Sequence, residues 1–219
     1  MATENEKVLA EAHGLYNEGK WHEAMTLLNN SNHGFGVEEM AEAYRLKGWC
    51  LYYIGIKGPA EEKREKLELA REKFDGVFLL TSDEKKLISA FNGLPLVYWI
   101  LDEQKQAWRM SDQAIEAFPD EPSVWNTRSI LFRWAKDFKG SAEVCEQVYK
   151  KALLKGDYRT AGNAKQNKAD ALKELSLIRD AKNEYAQAIG LYKQFESATG
   201  QSAKFHIEGV KKKALALYV

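Results

Sequence analysis

Four histidines, His13, His22, His33 and His206, and two cysteines, Cys50 and Cys145, are the residues of this 219-residue chain best suited to metal or nucleophilic chemistry. No two histidines stand at helical spacing with a glutamate between them, so the motif of a helical zinc hydrolase is absent. His22-Glu23 and His206-Ile207-Glu208 are isolated neighbours and read as surface residues. Gly55-Ile56-Lys57-Gly58 is glycine-rich, but it lacks the second half of a phosphate loop and no strand is predicted before it. Neither cysteine has a histidine nearby in sequence. Both lie in apolar segments, where a small buried hydrophobe is the expected role, and a reducing, cytoplasmic compartment follows by default. No catalytic residue, metal site or cofactor is expected, and the chain reads as non-enzymatic.

The elements that would carry any binding residues are helical. Apolar residues recur three and four apart almost everywhere, and sustained alternation at period two is missing. Helices are predicted at about Glu4–Glu18, Trp21–Asn29, Val37–Ile54 and Ala60–Leu80, and another starts near Asp83 behind the capping pattern Thr81-Ser82-Asp83-Glu84. Pro95 should kink or break that helix, because an interior proline costs roughly 3 kcal/mol. Further helices are predicted at about Gln104–Ala117, Ser123–Lys136, Lys139–Leu154, Arg159–Arg179, Lys182–Ala198 and Lys204–Tyr218. The short connections between them force antiparallel neighbours. With 45% hydrophobic residues, 15 Gly and 4 Pro, the composition excludes disordered and collagen-like chains. The longest apolar stretch, around Leu94–Leu101, falls far short of the roughly 20 residues a spanning helix needs, so no membrane partner is expected.

Helices in tight pairs prompt a search for a repeat. Trp21-His22-Glu23-Ala24, Lys105-Gln106-Ala107 and Tyr185-Ala186-Gln187-Ala188 share a small alanine of the kind needed where two helices cross closely. Ala12, Gly48 and Ser129 take the small position on the preceding helices. In Ala107–Trp125, Ala114 is followed by Phe118-Pro119-Asp120-Glu121-Pro122 and then by Trp125 opening the next helix. On these residues the chain resembles the tetratricopeptide repeat (TPR) family, whose unit is a helix-turn-helix of about 34 residues. Taken as one frame, Ala24, Ala70, Ala107, Ala142 and Ala188 stand 46, 37, 35 and 46 residues apart, so only the middle of the chain keeps that period.

The resemblance implies an all-α fold: a right-handed superhelix of about five antiparallel helix pairs, a TPR-like solenoid over 1–203 with 204–219 as its capping helix. It also implies a concave wall that receives a peptide or partner helix. The positions this gives are His13, Tyr16 and Asn17, then Arg45, Trp49, Tyr52 and Tyr53, then Asn92, Leu96 and Trp99, and last Asn126, Ile130, Arg133 and Trp134. Planar rings mixed with Asn and Arg can grip a peptide backbone or a carboxylate. Aromatic residues at helical spacing can equally be core packing. One subgroup of the family clamps the acidic tail of chaperones with Lys, Asn and Arg; this chain offers Leu9, His13 and Leu46 there, so that ligand is not expected.

The formal net charge is zero, from 32 Lys+Arg against 32 Asp+Glu. From Lys155 onward there are 12 Lys+Arg against 7 Asp+Glu, leaving 20 against 25 before it. Lys165, Lys168, Lys173, Lys182 and the run Lys211-Lys212-Lys213 could form a basic face for nucleic acid, or could simply be solvated helix surface. The expected partner is a protein or peptide. The alternatives are a nucleic-acid-associated repeat using that basic third, and a self-assembling adaptor that dimerises through the last helix by its stripe Ile207, Val210, Ala214 and Leu217.

Overall fold

The computed structural model describes residues 3–31, 34–200 and 202–217, and among them every regular element is an α-helix. The helices are α1 (Glu4–Asn17), α2 (Trp21–Asn30), α3 (Val37–Lys57), α4 (Ala60–Leu80), α5 (Glu84–Ile100) and α6 (Gln104–Ala117), followed by α7 (Pro122–Trp134), α8 (Phe138–Leu154), α9 (Tyr158–Glu174), α10 (Ile178–Thr199) and α11 (Lys204–Leu215). His33 and the predicted end of the last helix at Tyr218 lie outside the described residues. Two compact units divide the chain between Ala114 and Ile115.

In the first unit α1 to α5 pack consecutively, and α3 also touches α1 and α5. In the second, α7 to α11 pack consecutively and α7 meets α9. Each unit is therefore a helical array in which alternate helices are also neighbours. Amphipathic stripes set the core. α4 buries Leu67, Ala70, Phe74 and Val77, at spacings of three and four, and leaves its carboxylates to solvent. Cys50 and Cys145 are free and buried. Burial pushes the Cys50 thiol up to about 12 and the Cys145 thiol up to about 11.

Five helix-to-helix turns are built alike. Gly19, Asp102, Lys136, Gly156 and Ser176 adopt left-handed φ of 77°, 68°, 61°, 67° and 61°. The next N–H reaches back to close each helix end: Lys20 to Leu15, Glu103 to Tyr98, Asp137 to Phe132, Asp157 to Ala152 and Leu177 to Leu172, all at 2.9 Å. This is the Schellman arrangement, which satisfies carbonyls the helix leaves unpaired. Five residues beyond each turn stands a buried small side chain: Ala24, Ala107, Ser141, Ala161 and Ala181. Ala70, Ala142 and Ala188 are buried too, but they do not stand at this five-residue offset. In the second unit the turn residues Lys136, Gly156 and Ser176 recur every 20 residues.

Two helix boundaries also differ from expectation. The predicted helix Arg159–Arg179 is divided by the turn at Ser176, which carries no glycine to signal it. Pro95 does not divide α5, which runs from Glu84 to Ile100 with the proline inside. Gly93, Leu94, Pro95, Leu96 and Val97 are all buried. Burying Leu94 and Val97 at roughly 1.5–3 kcal/mol each outweighs the roughly 3 kcal/mol an interior proline costs.

Candidate ligand-binding faces

In the first unit the predicted residues lie on α1, α3 and α5. Glu42 and Arg45, one helical turn apart on α3, form a two-pronged ion pair, with Nε donating to Oε2 at 2.8 Å and Nη2 to Oε1 at 2.6 Å. Arg45 Nη2 also donates to His13 Nε2 at 3.0 Å, and Nη1 to Ser89 Oγ at 3.4 Å. The guanidinium is thus fixed in orientation before any ligand arrives. Asp83, Lys85 and Lys86 complete an open cleft of about 400 Å³ around His13, Glu42 and Arg45. Lys86 pairs with Glu38 at 2.6 Å, which ties the start of α5 to the start of α3.

Beside this cleft lies a continuous set of rings. Tyr53 stacks on Trp21 with centroids 5.1 Å apart, meets Tyr16 at 6.1 Å and Trp49 at 6.2 Å, and Lys57 Nζ sits 4.3 Å above the Trp21 ring. Trp49 donates its indole N–H to Ser89 Oγ at 2.8 Å and meets Phe74 edge-on at 5.3 Å. Burial, then the neighbouring Tyr53, raises the Tyr16 hydroxyl above its ordinary pKa and pushes Tyr52 up to about 12.

The structure brings together His13, Tyr16, Asn17, Arg45, Trp49 and Tyr53, with Asn17 Nδ2 3.5 Å from His13 Nδ1. Two predicted residues are corrected: Tyr52 and Leu96 are only 6% and 7% exposed and belong to the core, because each points along the apolar stripe of its helix. Asn92 is half-buried, and Trp99 packs edge-on against Trp108 at 6.0 Å, away from the cleft residues. Glu42, Ser89, Trp21 and Lys57 were not anticipated. The three-residue step from Glu42 to Arg45 was a readable signal; Ser89 meets Trp49 only through the fold.

In the second unit Asn126 and Arg133 meet partners on α9. Asn167 Nδ2 donates to Asn126 Oδ1 at 3.1 Å, and Arg133 Nη1 donates to Asn167 Oδ1 at 3.5 Å. Asp170, one turn on from Asn167, receives the Tyr185 hydroxyl at 2.5 Å and Lys213 Nζ at 2.6 Å, with Arg133 Nη1 3.8 Å away. Burial first, and then the hydrogen bond to Asp170, raises the Tyr185 hydroxyl. Arg133, Asp170, Tyr185 and Lys213, with Phe138, Lys173, Glu174 and Ala216, line a cleft of about 410 Å³. Ile130 and Trp134 are half-buried on α7.

The predicted basic face is not formed as one open surface. Lys165, whose side chain is 6% exposed, lies 3.4 Å from Glu146 and 3.1 Å from Glu184, and Lys168 reaches the same two carboxylates at 2.8 Å each. Burial alone would lower the Lys168 pKa, but its hydrogen bonds to Glu146 and Glu184 hold it above the ordinary value. Lys213 is engaged by Asp170, and Lys182 is half-buried; Lys173, Lys211 and Lys212 are exposed. The stripe considered for dimerisation is already used: Ile207 and Val210 are buried with Ala169, Tyr185, Ala188 and Tyr192 of the same chain, and Ala214 and Leu217 pack on that cluster.

Among the described residues no group of three or more His, Cys, Asp or Glu could hold a metal ion, and no helix is long and apolar enough to cross a membrane. No protein-family model matches the chain, and no curated protein matches it by sequence. Its fold is similar to that of BtubC (BKLC) from P. vanneervenii, whose crystal structure aligns with a TM-score of 0.62 over 87% of this chain and 80% of that one. At 14% identity the likeness is one of fold: the described residues form α-helices that pack consecutively within each unit.

Proposed function

We propose that the chain is a non-enzymatic protein-protein interaction scaffold of the TPR-like kind, a right-handed superhelix of five helix pairs, α1/α2 to α9/α10, with α11 as cap. Its ligand is a peptide or partner helix received on the α1/α3/α5 face. Free cysteines in the core suit a cytoplasmic setting.

The observation that carries this reading is the preorganised Arg45. Its guanidinium is held by Glu42, His13 and Ser89 at an open cleft, and the ring cluster of Tyr16, Trp49 and Tyr53 begins beside His13. Ser89 also takes the Trp49 N–H, so the polar edge of that ring is already satisfied. Side chains already fixed in place lose little entropy on binding, and Arg and aromatic residues are the types that dominate peptide recognition.

A peptide array read with the wild type and a His13→Ala, Tyr53→Ala double variant tests it. Peptides selected by the wild type should lose roughly tenfold or more in affinity for the variant, each large truncation at an anchor costing about 1–2 kcal/mol. Equal peptide profiles for two proteins with matching helical circular dichroism would sink the proposal.

A further inference from the structure

α4 and α11 each commit one face to their own unit and leave the other to solvent. On α11 the inward stripe is Ile207 and Val210, with Ala214 and Leu217 packed on the same cluster, and the Lys213–Asp170 pair at 2.6 Å fixes the rotation of the helix. The outward stripe is then Lys204, Glu208, Lys211 and Leu215, at spacings of four, three and four, with Lys212 beside it. Leu215 is 67% exposed. On α4 the outward stripe is Glu65, Glu68, Glu72, Asp75 and Leu79, at spacings of three, four, three and four, and Leu79 is 86% exposed. These residues, with Tyr44, Leu69, Arg71 and Gly76, line an open cleft of about 740 Å³.

The two stripes share one register, and three of their four facing positions are complementary. Asp75 precedes Leu79 by four residues, as Lys211 precedes Leu215; Glu68 precedes Asp75 by seven, as Lys204 precedes Lys211. At 1.5 Å of rise per residue, two parallel helices would bring Leu79 to Leu215, Asp75 to Lys211 and Glu68 to Lys204 at once. Glu72 would then meet Glu208. Each of these glutamates brings a lysine with it, Lys73 at 2.7 Å and Lys204 at 3.9 Å. Glu65 and Glu68 pair with Lys66 and Arg64 of their own helix, in exposed contacts that exchange partners readily.

We propose that the chain self-associates through a heterologous interface, in which the Lys204–Leu215 face of α11 in one copy docks on the Glu68–Leu79 face of α4 in another. Each copy carries one of each surface, so the association extends beyond a dimer into rings or open arrays. It rests on surfaces the peptide-binding reading does not use.

Sedimentation velocity of the full chain, over a concentration series at low and high salt, tests this with a Lys204→Glu, Lys211→Glu variant and a Glu68→Lys, Asp75→Lys variant. The wild type should grow in mass with concentration and lose that growth as salt screens the pairs. Each variant should self-associate at least about tenfold more weakly, and an equimolar mixture of the two should recover, because each reversed face meets its new complement. A wild type that stays monomeric at every concentration overturns the proposal. So does association that survives both reversals, or a mixture that fails to recover.

Discussion

Phe74 occupies a position that two glycines keep open. A Cβ added at Gly48 of α3 would lie 2.7 Å from the Phe74 ring, and one added at Gly93 of α5 would collide with the same ring. Trp49, next to Gly48, meets that ring edge-on, so the packing of α4 sets where the indole of the candidate face stands. Gly48→Ala should therefore destabilise the chain by about 1–3 kcal/mol, as overpacking does in a filled core. Adding Phe74→Leu should return part of that loss, since the smaller side chain vacates the contested volume; a urea-denaturation cycle should give a coupling of at least about 0.5 kcal/mol. Simple additivity would mean that Gly48 is small for another reason. The sequence marked Gly48 as a small crossing position. Its partner stands 26 residues away on another helix, so only the fold identifies the ring it accommodates.

The turns are the clearest case of an element half visible in the sequence. Gly19 and Gly156 announce a left-handed residue, whereas Asp102, Lys136 and Ser176 adopt the same conformation without glycine's freedom. That is why Arg159–Arg179 reads as one helix by periodicity although the chain reverses at Ser176. The legible signal was the segment after the turn, Phe138-Lys139-Gly140-Ser141, Tyr158-Arg159-Thr160-Ala161 and Ile178-Arg179-Asp180-Ala181, each a large apolar residue, a base and then a small residue at fixed spacing. Pro95 misled in the opposite sense, because local propensity knows nothing of the burial that holds α5 together. The strain at the turns has a measurable consequence. A left-handed residue bearing a Cβ costs about 1–2 kcal/mol, and glycine gives back roughly half of that gain in unfolded-state entropy. Asp102→Gly, Lys136→Gly and Ser176→Gly should each stabilise by about 0.5–1 kcal/mol, additively, because the three turns are separate. Gly156→Ala should cost about 1 kcal/mol. Thermal and urea unfolding of the single and triple variants check both signs.

At the scale of the whole chain, the neutral sum of 32 positive and 32 negative side chains conceals an excess of lysine and arginine after Lys155. Whether that excess can serve a nucleic acid depends on how many of its charges still face solvent. Of the seven lysines that sequence groups into a basic face, Lys165 and Lys168 are spent on Glu146 and Glu184, and Lys213 on Asp170. Lys173, Lys211 and Lys212 are exposed. Each phosphate neutralised on a duplex contributes about 0.9 to the slope of log affinity against log salt. Those three lysines alone would account for a slope of about −3, or about −2 on a single strand. A slope near about −6 would require phosphate contacts beyond the grouped lysines, from exposed residues such as Arg159, Arg179 and Lys193. Binding titrations from low to moderate salt separate the cases: a shallow slope, lost in Lys211→Glu, Lys212→Glu, identifies a weak and non-specific electrostatic contact. A steep slope that survives that variant would show that cations outside the Lys211-Lys212 pair carry the contact.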